Sequence, residues 1–274
     1  MDRRGRRRRR SNRDPQCDDG GAQRPSLYDA AGMLGSLSIV VPAFNEEESI
    51  EATVDDALRI GATVARELEV LVCNDGSRDD TSAILAAKAA VEPRLRVLDR
   101  TQNAGIEASM RALYANAQHE WVFLMSADRQ WPMTALVELA GAAERGADFV
   151  VGVRPNKRAV YTPYRRLVSW GYERIVKTFG APAGDPGSIK LARRELLHTA
   201  VAAQGVFAEG ERVIRAARSG ARVVEVAVEF HRRAVGKATG ARRDVVARAL
   251  VDAVRVASSL TLGWPRPELP TPDV

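Results

Sequence analysis

The chain has 274 residues, 45% of them hydrophobic, and a formal net charge of +6. This suits one α/β domain, with or without a C-terminal extension, and allows a sizeable core. The positive charge does not argue for a nucleic-acid module, because residues 1–10, with seven Arg and one Asp, already account for all +6 of it. The remainder is polarised: residues 36–150 carry an excess of acid and residues 151–274 an excess of base. An acidic half suits a metal ion and a basic half suits phosphates. Cys17 lies in a polar tail and Cys73 in an apolar run, so no disulfide and a cytoplasmic setting are expected. No apolar run approaches the roughly 20 residues that span a bilayer, and no apolar stretch follows the Arg-rich start to make a secretory signal.

In chain order, residues 1–35 are rich in Arg, Asp, Gly, Gln and Pro without apolar periodicity and read as a disordered tail. A run from Leu37 to Val41 is short, apolar and β-branched and stops at Pro42, which predicts a buried parallel strand. Asn45 and Glu48 have the spacing of a reciprocal N-terminal cap for the helix that Ile50, Val54, Ala57 and Leu58 mark out. The unit then repeats. Strands are predicted at 68–73, 95–98, 121–125 and 149–153, and helices at 79–90, 105–117 and 134–144. This alternation implies a largely parallel sheet with helices on both faces. The second part is less regular, with helices expected around 164–179, 211–218 and 245–260 and strands at 188–191 and 222–228. The last helix suits packing on the sheet or lying on a membrane surface. The expected organisation is a tail (1–35), one domain (36–262, with halves 36–153 and 154–262) and a C-terminal tail (263–274).

Ligands of an open parallel sheet bind beyond the C-terminal ends of its strands. Three polar clusters fall at such ends: Pro42–Asn45, Asn74–Ser77 and Ser126–Gln130. Each alone is readable as a turn; three on one edge make a pocket.

These clusters carry a resemblance. Ser38 through Glu47 resembles the opening of family 2 glycosyltransferases of the GT-A fold, and Asn74-Asp75-Gly76-Ser77, with Asp79 and Thr81, is similar to that family's second motif. Asn103-Ala104-Gly105 resembles the third. Ser126 through Pro132 resembles the Asp-x-Asp metal motif in its dolichyl-phosphate mannosyltransferase form, and Gly187–Leu191 with Arg193, Arg194 and Glu195, and Glu211–Gly236, are similar to later segments of that same branch. The resemblance implies a nucleoside-diphosphate sugar, UDP- or GDP-linked, as donor. Asp75 would accept hydrogen bonds from the base edge or ribose, and Pro42, Ala43, Asn45 and Glu46 would wall the nucleoside. Gly76, Asn103, Ser126 and Ala127 complete the donor set. Asp128, with Gln130, would hold Mg²⁺ or Mn²⁺ bridging the diphosphate, an ion that takes oxygen ligands and keeps several from water or phosphate. The chain departs from the pattern at the first metal-motif position, where Ser126 replaces Asp with a weaker, neutral oxygen.

Inversion at the anomeric carbon needs in-line attack, and a hydroxyl acceptor needs a general base, whereas a lipid phosphate is already an anion. Asp185, Glu209 and Glu211 are the candidate carboxylates, and Glu209 and Glu211 are equally suited to the positive end of a helix. Arg129, Arg232, Arg233 and Lys237 would grip donor or acceptor phosphates, and the Gly-flanked loop 234–240 would close over the donor. The expected protein is an inverting glycosyltransferase acting on a polyprenyl phosphate, with peripheral association at an anionic membrane and no specific nucleic acid. The alternatives are transfer to a soluble hydroxyl acceptor and a catalytically silent nucleotide-sugar binder.

Overall fold

The computed structural model describes residues 34–155, 161–182, 185–205, 207–231, 243–265, 267 and 269. The Arg-rich tail and Arg232, Arg233, Lys237 and the loop 234–240 lie outside the described residues.

The first half is a βα repeat: β1 (Leu34–Ala43), α1 (Ile50–Val64), β2 (Ala65–Asn74), α2 (Thr81–Ala89), β3 (Leu95–Asp99), α3 (Ile106–Asn116), β4 (Trp121–Leu124), α4 (Ala135–Glu144) and β5 (Phe149–Val153). The rest adds α5 (Pro163–Thr178), β6 (Lys190–Arg193), the short α6 (Arg194–Leu197), α7 (Ala208–Arg218), β7 (Val223–Ala227) and α8 (Arg243–Leu262). β1 starts at Leu34, inside the stretch read as a tail, because Leu34 is buried while Gly35 and Ser36 interrupt the apolar pattern. α5 starts where its sequence says: Pro163 stands at the first helical position and the Thr162 hydroxyl accepts from the Arg165 N–H at 3.3 Å.

The seven strands form one sheet in the order β3-β2-β1-β4-β6-β5-β7. The pairs β1–β2, β1–β4, β2–β3 and β5–β7 are parallel, whereas β6 runs antiparallel to both neighbours. β6 lies between β4 and β5, so one continuous sheet crosses the expected boundary at 153.

Both faces of the sheet are covered, which explains its unbroken apolar strands. Successive strand residues point to opposite sides. Ile39 and Val41 join Val70, Val72, Phe123 and the helices α1 and α4 in one core. Val40 joins Leu71, Val122, Leu124 and residues of α3, α5, α7 and α8 in the other. α8 joins this second core through Ala253 and Val256, leaving Leu250, Val251 and Val254 exposed. No helix among the described residues is long and apolar enough to cross a membrane.

The reversed β6 matters for the site. Its first residue, Lys190, sits opposite Leu124 at the end of β4 and opposite Val151 of β5. The segment entering β6 therefore lies at the rim where the parallel strands leave the sheet.

Candidate functional site

The rim gathers the exits of β1, β2, β3, β4, β5 and β7 and the entry to β6. Asp75 and Asp128 both stand there, on either side of the β1 exit. The Asp75 N–H donates to the Ala43 carbonyl at 2.9 Å, and the Met125 N–H donates to the Val40 carbonyl at 3.0 Å.

On the β1–β3 side the motif residues fasten to one another. The Asn45 N–H donates to the Ser77 hydroxyl at 2.9 Å, and the Asn45 side-chain oxygen accepts from the Arg78 N–H at 2.8 Å. Glu46 donates its N–H to Thr81 Oγ1 at 2.9 Å, and Glu47 exchanges bonds with Asp79 and Asp80. The expected Asn45–Glu48 cap does not form: α1 starts after Ser49, and Asn45, at φ 55°, spends its side chain on the neighbouring loop. Gly76 has φ 67°, and an added Cβ would lie 2.6 Å from the Gln102 carbonyl carbon. That position accepts only glycine because the second and third motifs pack backbone against backbone there.

Asp75 has a structural duty that the sequence reading does not contain. It is 4% exposed. Its Oδ1 accepts from the Ala104 N–H at 2.9 Å and from Arg100 Nη1 at 3.3 Å, and its Oδ2 accepts from the Gly105 N–H at 2.8 Å. It thus caps α3, placing a carboxylate at the positive end of that helix. Arg100, directly after β3, is a residue that sequence reasoning missed; with Arg96 and Asp99 charged beside it, nothing in the sequence singles it out. Its guanidinium also donates to the Ala108 carbonyl at 3.1 Å. Pro42 and Ala43 lie at the β1 exit, and Asn103 is exposed beside the α3 cap.

On the other side, Ser126, Asp128 and Gln130 are half-buried and Ala127 is buried. Asp128 Oδ1 accepts from the Gln130 N–H at 3.1 Å across Arg129, which adopts the left-handed conformation at φ 53°. The Gln130 carbonyl accepts from the His231 N–H at 2.8 Å. The structure turns the Arg129 guanidinium onto Asp56 of α1, at 3.0 Å. Asp128 is the loop's one carboxylate, and the described residues hold no cluster of three or more His, Cys, Asp or Glu suited to a metal. This donor set fits a hard cation that arrives with phosphate oxygens and keeps water, and does not fit a cation caged by protein.

The carboxylates offered as catalytic are held in ion pairs. Asp185 receives Arg154 in a two-pronged bridge at 2.5 and 2.6 Å. The Arg154 guanidinium also lies 5.0–5.5 Å from the ring centroids of Trp131, Tyr161 and Phe230. Glu209 is buried beneath the rim. Its Oε2 accepts from Lys190 Nζ and from the Tyr114 hydroxyl, and its Oε1 accepts from Arg212 Nη1 at 2.6 Å. Burial works to raise its pKa, but the Lys190 and Arg212 charges outweigh it and hold Glu209 below the usual carboxylate range. Glu211 accepts from the Ala202 and Ala203 N–H groups and from Arg215. A base must offer an acceptor proton a lone pair. In the described geometry these oxygens accept from Arg, Lys, Tyr and backbone donors.

Glu107, at the first turn of α3, completes the buried network 3.5 Å from Arg212 Nη2. Burial, with the charge of Glu209, pushes its carboxyl up to about 7 against the pull of Arg212 and Arg111. Cys73 is buried and unbridged, and burial raises its thiol pKa.

Comparison with known proteins agrees with this layout. The family model described as glycosyl transferase family 2 matches residues 38–200. The chain is 31% identical over 137 residues to a bactoprenol glucosyl transferase of Shigella phage SfV, covering 50% of this chain and 45% of that relative. It is 28% identical over 160 residues to an undecaprenyl-phosphate 4-deoxy-4-formamido-L-arabinose transferase of Klebsiella pneumoniae, covering 58% and 48% respectively. The chain thus spans about half the length of the curated relatives it matches. Among solved structures, it is similar to glucosyl-3-phosphoglycerate synthase from Mycobacterium tuberculosis in complex with phosphoglyceric acid, with TM-score 0.63, 23% identity and 83% of each chain covered. The same enzyme with Mn²⁺, UDP-glucose and phosphoglyceric acid gives TM-score 0.61 at 22% identity, covering 83% of this chain and 82% of that one. With the matched family model spanning more than half of its residues and the motif loops converging on one rim, the chain belongs to glycosyl transferase family 2.

Proposed function

We propose that the protein is an inverting glycosyltransferase that moves a sugar from a UDP- or GDP-sugar to a polyprenyl phosphate. The observation that carries this reading is the placement of the Asn74–Ser77 and Ser126–Gln130 loops on either side of the β1 exit, where one nucleoside diphosphate can reach both. In it, Pro42–Glu46 and the Asn74–Ser77 loop wall the nucleoside. Asp75 acts there mainly by fixing the α3 N-terminus, whose dipole favours the negative donor.

Asp128 would hold a divalent cation, Mg²⁺ or Mn²⁺, with the Gln130 amide and Ser126 hydroxyl as neutral oxygens beside it. When bound, such an ion neutralises charge on the departing diphosphate. An oxygen of the acceptor phosphate attacks the anomeric carbon from the side opposite the diphosphate. The sugar–phosphate bond of the donor breaks, and the nucleoside diphosphate leaves with the electron pair, inverting the configuration. The acceptor half of the reading is supported by the ion-paired state of Asp185, Glu209 and Glu211: an acceptor that arrives ionised needs no protein base. The names of the relatives point the same way. Such an acceptor lies in a membrane, and peripheral association of this chain with anionic lipid follows from the reading.

The test is nucleoside-diphosphate release from a panel of UDP- and GDP-sugars with Mn²⁺ or Mg²⁺, with and without undecaprenyl phosphate in detergent. Release that depends on the prenyl phosphate is expected. Release only with hydroxyl acceptors, abolished by Asp185→Asn, would assign the soluble-acceptor reaction instead. Donor binding without turnover across all acceptors and metals would leave a silent binder.

A further inference from the structure

We propose that Asp56 of α1 is a positioning residue for Asp128, holding the Ser126–Gln130 loop in shape from behind. This inference rests on the reading of Asp128 as the carboxylate on the metal side of the donor.

The loop has an intrinsic cost. Arg129 carries a side chain at φ 53°, a conformation that residues other than Gly, Asn and Asp adopt rarely and that persists where surrounding contacts over-determine it. This turn is what lets the Gln130 N–H reach back to Asp128 Oδ1. A relaxed Arg129 would break that bond and swing the carboxylate.

Ala127 is buried in the core shared with α1, but the outer part of the loop borders open space on that side. A cleft of about 300 Å³ opens there, lined by Thr53, Asp56 and Arg59 on one wall and by Arg129, Pro132 and Met133 on another. Two contacts from α1 span it. The buried Thr53 hydroxyl donates to the Ala127 carbonyl at 3.2 Å, one residue before Asp128. Asp56 accepts from Arg129 Nη2 at 3.0 Å, one residue after it. Thr53 and Asp56 are three positions apart on α1 and so share a face of the helix. Arg59, one further turn along, donates to the other Asp56 oxygen at 2.6 Å and fixes that carboxylate in turn. The far side of the loop is tied to His231 through Gln130. Asp128 is thus framed by anchors at the residue on each side, and Asp56 supplies the one that acts on the strained residue itself.

The pair is half-exposed, with the Arg129 side chain 50% and the Asp56 side chain 28% accessible. Its contribution to global stability is therefore small, and its effect falls on the shape of the loop.

The experiment is calorimetric titration of Mn²⁺ into the full chain at saturating UDP, or GDP if UDP does not bind, together with the Mn²⁺ electron paramagnetic resonance spectrum. Asp56→Asn is expected to weaken Mn²⁺ binding about fivefold and broaden the bound spectrum while the melting temperature stays within about 2 °C. Asp56→Glu is expected to restore affinity to within about twofold, and Arg59→Gln, which loosens the Asp56 carboxylate, to weaken binding less than Asp56→Asn does. Asp128→Ala is the reference and should lose nearly all Mn²⁺ binding. If Asp128→Ala loses binding while Asp56→Asn matches wild type in affinity and spectrum, the positioning role is overturned and the reading of Asp128 stands. If Asp128→Ala itself binds Mn²⁺ like wild type, the reading of Asp128 is wrong and the role of Asp56 falls with it.

Discussion

The two halves of the rim are built on different principles. Around β1, β2 and β3, the polar residues are short side chains that satisfy backbone groups of the adjacent loop: Asn45 on Arg78, Ser77 on Asn45, Thr81 on Glu46 and Asp75 on Ala104 and Gly105. Around β4 to β7, the polar residues are long and charged, and they satisfy one another: Arg154 with Asp185, and Lys190 and Arg212 with Glu209. The first region is held chiefly by local fit, with Asp75 and Arg100 as its buried ion pair. The second is held by charge balance in a low-dielectric interior, where the loss of one partner leaves another buried and unpaired. The difference teaches that motif residues of the first region shape the donor site even where they do not touch the donor.

The sharpest way to break this comparison is Glu209→Gln. It leaves Lys190 without a carboxylate and Arg212 with only Glu107, both cations being fully buried, and a loss of about 3–5 kcal/mol in chemical denaturation is expected. A loss below about 1 kcal/mol would mean that the second region does not depend on charge balance. Next is Gly76→Ala, the test of local fit. A Cβ at φ 67° and 2.6 Å from the Gln102 backbone should cost roughly 2–3 kcal/mol and loosen the loops around Asp75, visible as faster amide exchange at Ala104 and Gly105. Asp75→Asn keeps an acceptor but loses the charge at the α3 N-terminus and beside Arg100. About 1–2 kcal/mol of destabilisation is expected, with donor affinity falling in parallel as measured by calorimetry.

The most diagnostic variant is Glu107→Gln, whose effect vanishes at low pH. The folded-state carboxyl of Glu107 sits at about 7, above its ordinary 4.5. Its stabilising contribution is therefore complete below about 4.5 and is lost as pH rises through 7. Gln mimics the protonated form, so the variant should match wild type near pH 4.5, exceed it progressively up to about pH 7 and keep a constant margin above that. Parallel stability profiles across that window would show that Glu107 is ionised throughout.

Strand positions were readable because a sheet covered on both faces demands apolar runs, and β5 falls at Phe149–Val153 as expected. β6 was displaced in the reading, from 188–191 to Lys190–Arg193, because it begins and ends on charged residues. Lys190 is buried against Glu209, and Arg193 pairs with Glu120 and Asp148. Its antiparallel direction was not readable at all, since hydrophobic periodicity carries no direction. Among site residues, the sequence located the rim loops but not the partners that several members take. Asn45 has the spacing of a helix cap, yet a donor 33 positions away, the Arg78 N–H, claims it. Glu209 has the position of a helix-terminal acid, yet Tyr114, 95 positions away, and Lys190 enclose it. Local spacing cannot register partners brought in by topology.

Whether the loops after β2 and β4 serve one donor is decided by a crystal grown with UDP or GDP and Mn²⁺. The nucleoside is expected against Pro42–Glu46 and Asn74–Ser77, with the diphosphate and Mn²⁺ reaching Asp128. Nucleotide density in the cleft between α1 and Pro132, or anywhere that leaves Asp128 without contact to metal or phosphate, would contradict it.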